Sequence, residues 1–135
     1  MLNATEGQLR RWRGIAASDP LGLVIMLHDG AVEQLNRACA LQAPEERAAR
    51  TELIANVQRI LTELLCSLRE GADPQLAASL AALYEHLHGR LTVTALVEDD
   101  RALVEVAEAL EALGDAWRQA APCLRATDDG WPGLE

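Results

Sequence analysis

Apolar residues recur along this chain at spacings of three and four in four long blocks, each set off by a short stretch containing proline, glycine or aspartate. That period predicts helices with a buried face. The first block opens at Asp19-Pro20. An aspartate there can accept hydrogen bonds from the free N–H groups of a first helical turn, and a proline sacrifices no bond at that position. Leu21, Leu23, Val24, Ile25, Met26 and Leu27 follow with almost no polar side within two turns, so this helix needs cover on several faces or a partner. It runs to about Leu41, ahead of Pro44, with Gly30 and Ala31 as a flat spot for close helix approach.

The second block starts at Pro44, with Glu45 and Glu46 favourably placed against the helix dipole, and stops near Gly71. Its face, Leu53, Ile54, Val57, Ile60, Leu61, Leu64, Leu65 and Leu68, is broad enough for two neighbours. Asp73-Pro74 repeats the opening signal, and the third block carries Leu76, Leu80, Leu83, Leu87 and Leu91 beside a second stripe through Ala77, Ala81 and Tyr84. Its end, Leu91 to Val97, holds β-branched residues that a strand would also accept, but the flanking helices and an Asp99-Asp100 cap favour helix. The fourth block points Leu103, Val106, Leu110, Leu113 and Trp117 inward and Glu105, Glu108, Glu111 and Asp115 mostly outward. It is expected to run to about Gln119 and to end at Pro122.

Four such helices joined by short connections predict an all-α fold, an antiparallel up-down four-helix bundle over residues 18–121, roughly 30–40 Å long. Residues 1–17 read as a short helical or extended N-terminal cap, with a capping-box pattern at Asn3 and Glu6 and apolar anchors at Leu9, Trp12 and Ile15. Residues 122–135 are mostly polar and acidic with glycine and proline, the composition of a disordered tail, and Trp131 is its one sticky residue. The summed apolar faces exceed what four helices need to bury on one another. That surplus points to binding.

Composition sharpens this picture. With 135 residues the chain is sized for one domain; half of it is apolar yet it has no Phe and a single Tyr, so the core must come from Leu, Ala, Val and Ile. All basic residues are arginine, and the net charge of −9 opposes nucleic-acid binding. Cys39, Cys66 and Cys123 form no close pair, which suits buried thiols in a reducing cytosol rather than disulfides or a zinc knuckle. The absence of a signal-like run and of a ~20-residue apolar stretch leads us to expect a cytosolic protein without membrane insertion.

Candidate chemistry is sparse. Glu85 and His88 have the Glu-x-x-His spacing of dimetal bundles, but such sites need two copies plus further inward glutamates and only one copy occurs. Solvated or capping roles are the expectation, with no metal. No nucleophile elbow, phosphate loop or dinucleotide turn occurs, so neither an enzyme nor a cofactor is expected. Cys39 and Cys66 lie in helical apolar patterns and read as small core residues. His28 reads as a partly buried group with one hydrogen bond, a pH switch being the sharper alternative.

Over about residues 15–120, the chain resembles the FliS family of flagellar secretion chaperones. A segment like T-A-S-P-x-x-L-I-x-M-L-Y-D-G-A is matched by Ala17 to Ala31, ASDPLGLVIMLHDGA; an L-x-x-L-Y-x-Y-M-x-x-R-L-like run by Leu80, Leu83, Tyr84, His86, Leu87, Arg90 and Leu91; and a Leu-x-x-Ala-Trp close by Leu113 to Trp117. Departures are His28 at the aromatic of the first motif, Asp73-Pro74 in place of paired glycines, Ala95 in place of an asparagine, and no N-terminal tyrosine, with Trp12 nearby in a different register.

The resemblance implies a cytosolic chaperone that binds the disordered C-terminal segment of flagellin, prevents its premature polymerisation and delivers it to a membrane export gate. Candidate client contacts on the first three helices are Leu23, Leu27, Ile60, Leu64, Tyr84, Leu87 and Leu91, with Gly30 and Ala31 permitting close approach and Asp29 or Arg90 fixing register. Leu9, Trp12 and Ile15 would form an autoinhibitory cap over this groove. A competing regulatory protein and a homodimer are further partners to consider, and a helical adaptor or type III secretion chaperone for another client is the alternative function.

Overall fold

The computed structural model describes residues 20–68, 73–97 and 99–126. Four α-helices build it: α1 (Pro20–Ala40), α2 (Arg47–Ser67), α3 (Pro74–Val97) and α4 (Asp100–Ala126). There is no strand among the described residues. Each helix packs on its chain neighbours and α4 closes onto α1, leaving α1 and α3 on one diagonal and α2 and α4 on the other. Side-chain bridges give the directions. Asp29 meets Arg118 on α1 and α4, and Gln42, just past α1, meets Asp100 at the start of α4, so these two run in opposite directions. The short connections between successive packed helices reverse the chain at each step, with Gln58 meeting Thr92 across α2 and α3 and Arg90 meeting Glu105 across α3 and α4. Neighbouring helices therefore run antiparallel, in the up-down bundle that the pattern predicted.

The aspartate caps act as expected where they are described. Leu76 N–H donates to Asp73 Oδ1 at 3.0 Å and Arg101 N–H to Asp99 Oδ1 at 3.0 Å, occupying donors that a first turn leaves free. The β-branched end of α3 is helical, as the flanking signals predicted, with buried Leu91 and Thr94 facing the bundle and the hydroxyls of Thr92 and Thr94 bonding back to the His88 and Arg90 carbonyls at 3.3 and 2.9 Å.

Two boundaries differ from expectation. Pro44 opens a 3-10 turn (Pro44–Glu46) instead of α2 itself. Glu46 N–H reaches back only three residues to the Ala43 carbonyl, and its carboxylate accepts from Ala43 N–H, closing a tighter turn before α2 begins. At the other end α4 does not stop at Pro122 but runs to Ala126. Pro122 is exposed, so its ring and missing N–H disturb one solvent-side turn without disrupting the core.

The sealed core includes Leu35, Leu53, Ile60, Leu61, Leu64, Tyr84, Leu91, Leu103 and Leu110. Buried Arg50 reaches Asp100, which also accepts from Gln42 at 2.9 Å, and the three tie the start of α4 to the α1–α2 connection. The cysteines depart from the expected core role, with Cys39 half-buried and Cys66 exposed. Burial, reinforced by Asp100, pushes the Cys39 thiol up and keeps it protonated. No helix among the described residues is long and apolar enough to cross a membrane.

Two helical glycines should respond oppositely to alanine. A Cβ at Gly89 would meet nothing within 4 Å, so Gly89→Ala is expected to stabilise by about 0.5–1 kcal/mol through helix propensity alone. At Gly114 it would stand 3.3 Å from the Cβ of His28, a buried residue held by hydrogen bonds on both sides of its ring, so Gly114→Ala is expected to be destabilising. Thermal melts of the two variants beside the parent check the contrast; a gain at both positions would show that α1 and α4 have room to part.

Candidate docking surface

The residues singled out from sequence separate sharply by depth. Leu27, Ala31, Ile60, Leu64, Tyr84, Leu87 and Leu91 lie in the core, while Leu23 and Gly30 are half-buried on α1. Asp29 is exposed and held by Arg118; half-buried Arg90 is held by Glu105. Leu9, Trp12 and Ile15 lie outside the described residues, as do the Asn3–Glu6 pattern, Asp19, Gly71, Trp131 and the side chain of Cys123.

Tyr84 and His28 meet across the bundle. His28, expected to be partly buried with one bond, is fully buried with two. Its Nδ1 lies 2.7 Å from the Val24 carbonyl oxygen and its Nε2 lies 3.0 Å from the Tyr84 hydroxyl oxygen. A carbonyl can only accept, so Nδ1 carries the proton and Nε2 accepts from the Tyr84 O–H. Burial raises the tyrosine pKa, with Trp117 opposing, so the hydroxyl stays protonated and able to donate.

The relay predicts a pH effect. Burial is the main cause lowering the His28 pKa from 6.5, opposed by the Val24 bond and by Asp29, with Arg118 adding to the lowering. Below pH 6.5 the unfolded chain therefore binds protons that the folded one refuses. Stability from this group is complete above that pH and is lost as pH falls toward the depressed folded value. Urea melts between about pH 7.5 and 5 should show a steeper loss in the parent than in His28→Gln. Parallel curves would remove His28 as the cause.

Outside this relay, α3 presents an unusual outer face. Gln75, Ala78, Ser79, Ala82, His86, Gly89 and Val93 are all exposed and follow one another at three- and four-residue steps. The face ends in bare hydrocarbon: Val93, Leu96 and Val97 are 55%, 80% and 63% exposed. None of these residues is Asp, Glu, Lys or Arg, and exposed Glu85 is the one carboxylate beside them, whereas the exposed face of α4 bears Arg101, Glu105, Glu108, Glu111, Asp115 and Arg118. Beside it, a groove of about 310 Å³ between α2 and α3 is lined by Leu65, Cys66, Leu68, Ala77, Ala78 and Ala81, with Glu85 also on its lining.

Small side chains let another helix come near, and exposed Val and Leu supply area to bury. The surface is suited to receive an apolar helix. Sequence reading found its inner edge, Ala77 and Ala81, but passed over Ala82, Gly89, Val93, Leu96 and Val97. The signal that would have found them is charge: over the 24 residues of α3 only Glu85 and Arg90 come from Asp, Glu, Lys and Arg, too few to solvate the outward side of a helix.

Comparison with known proteins agrees with the helical architecture. Residues 3–123 match the family described as "Flagellar protein FliS". The chain is 26% identical over 120 residues to the flagellar secretion chaperone FliS of Bacillus subtilis, the match covering 89% of each chain. It is 28% identical to that of Salmonella typhimurium, covering 80% of this chain and 81% of the relative, and 31% identical to that of Escherichia coli, covering 73% of each. With matches of this extent over a chain that folds as a four-helix bundle, the chain belongs to the FliS family of flagellar secretion chaperones.

Proposed function

We propose that this chaperone binds the C-terminal segment of flagellin as a helix along the outer face of α3 and the α2–α3 groove, prevents its premature polymerisation and delivers it to the flagellar export gate. The observation that supports this reading most directly is the charge-poor outer face of α3, ending at Val93, Leu96 and Val97. An amphipathic segment that assembles through its apolar side is kept from assembling when that side is covered. The 24 residues of α3 extend about 36 Å, room for a client helix of similar length. A client ordered only on binding gives up ~2–5 kcal/mol of its interaction energy, which keeps a broad contact releasable at the gate.

Titration of the full-length protein with the last ~40 residues of flagellin from the same organism, followed by heat and by helicity together, tests the reading. Saturable one-to-one binding with a gain in helix is expected. No binding at high micromolar concentration would transfer the role to another secreted client. Residues 1–14, which include Leu9 and Trp12, are proposed to compete for the client surface. Deleting them should tighten flagellin binding or promote self-association, and no change in either would remove the cap.

A further inference from the structure

The opposite side of the bundle has the opposite character. Between α1 and α4 runs a furrow of about 610 Å³, with Val32 and Ala40 on its lining and four carboxylates, Asp29, Glu33, Glu111 and Asp115, around them. Because the helices pack in the cyclic order α1, α2, α3, α4, this furrow and the α2–α3 groove open on opposite sides. Arg118 is engaged by both Asp29 and Asp115, which fixes two of the carboxylates and commits that cation. Glu33 and Glu111 stand exposed, and Arg37 is the other cation of the lining. Exposed Glu108 and Val104 continue the same side of α4 one and two turns before Glu111, adding one carboxylate and one apolar side chain beyond the furrow.

Charge decides what can lie there. A second copy of a chain with net charge −9 is repelled. We infer that the α1–α4 furrow docks a helix of another protein, one presenting small apolar side chains between rows of lysine or arginine, while the outer face of α3 stays available to the client. Docking of this kind is fast, salt-sensitive and readily reversed, the behaviour wanted of a surface that hands a loaded chaperone from one station to the next. The inference stands apart from the identity of the client, because its probe is not flagellin.

The experiment is fluorescence anisotropy on the full-length protein with a labelled synthetic helix carrying one row of alanine and leucine flanked by rows of lysine. Saturable binding is expected, weaker by about tenfold when salt rises from about 50 to about 300 mM. Glu33→Gln with Glu111→Gln should weaken the probe about five- to tenfold and leave flagellin binding unchanged. Glu52→Gln with Glu85→Gln removes the same charge from the α2 and α3 side and should change probe affinity less than about twofold. Equal weakening by the two pairs would overturn the inference, because the probe would then sense net charge alone. Displacement of the probe by saturating flagellin segment would also overturn it, and so would equal binding of a glutamate-flanked version.

Discussion

Tyr84→Phe is expected to lower the unfolding free energy by about 1–3 kcal/mol, although it removes a single oxygen and keeps the ring that fills the core. The cost comes from what is left behind. His28 Nε2 loses the donor 3.0 Å away in a part of the molecule that water does not reach. Each stranded buried group costs about 1–3 kcal/mol. The double variant with His28→Leu removes the stranded group itself, so it should be less destabilised than the two single changes summed, by about 1–2 kcal/mol. Urea melts of the parent, both single variants and the double at about pH 8, where His28 is neutral in either state, measure the coupling. Strict additivity would mean that the tyrosine and histidine contribute only their packing.

The other large effect falls on binding and leaves stability nearly untouched. Ala82→Glu together with Val93→Glu adds two carboxylates to the outer face of α3, where the parent has only Glu85, at the edge beside the α2–α3 groove. Both positions are exposed, so the melting temperature should move little. A client helix would have to desolvate both charges without a partner, and its affinity should fall at least about a hundredfold, or about 2.7 kcal/mol. Calorimetric titration with the flagellin segment reads this directly. Undiminished affinity would move the client off α3 and towards the half-buried Leu23 and Gly30 side of α1.

Much of the architecture was legible in the chain because its causes are local. Asp73 and Asp99 cap the helices that follow them, and the spacing of Leu80, Leu87 and Leu91 gives the buried side of α3. Pro122 misled because a proline near a helix end removes one bond and leaves continuation to the surroundings. The docking surface was less legible. Apolar width shows that Leu27, Ile60, Leu64, Leu87 and Leu91 need cover, but which arc of each helix is covered depends on which helices are neighbours and which are diagonal. That is why the stripes led into the core and the open face was carried by alanine, glycine and the terminal valines. His28 posed the same difficulty, since its partner lies 56 residues away and in a helix that is not its neighbour.

Four parallel rods in a square deform most easily by leaning into a rhombus, a distortion that opens one seam while it closes the next. The bond between His28 and Tyr84 joins α1 to α3, so it braces one diagonal of that square from inside. With the diagonal held, the seam between α2 and α3 keeps its width whether or not anything lies in it. A visiting helix then meets a surface already shaped for it, and its binding energy is not spent on reshaping the host.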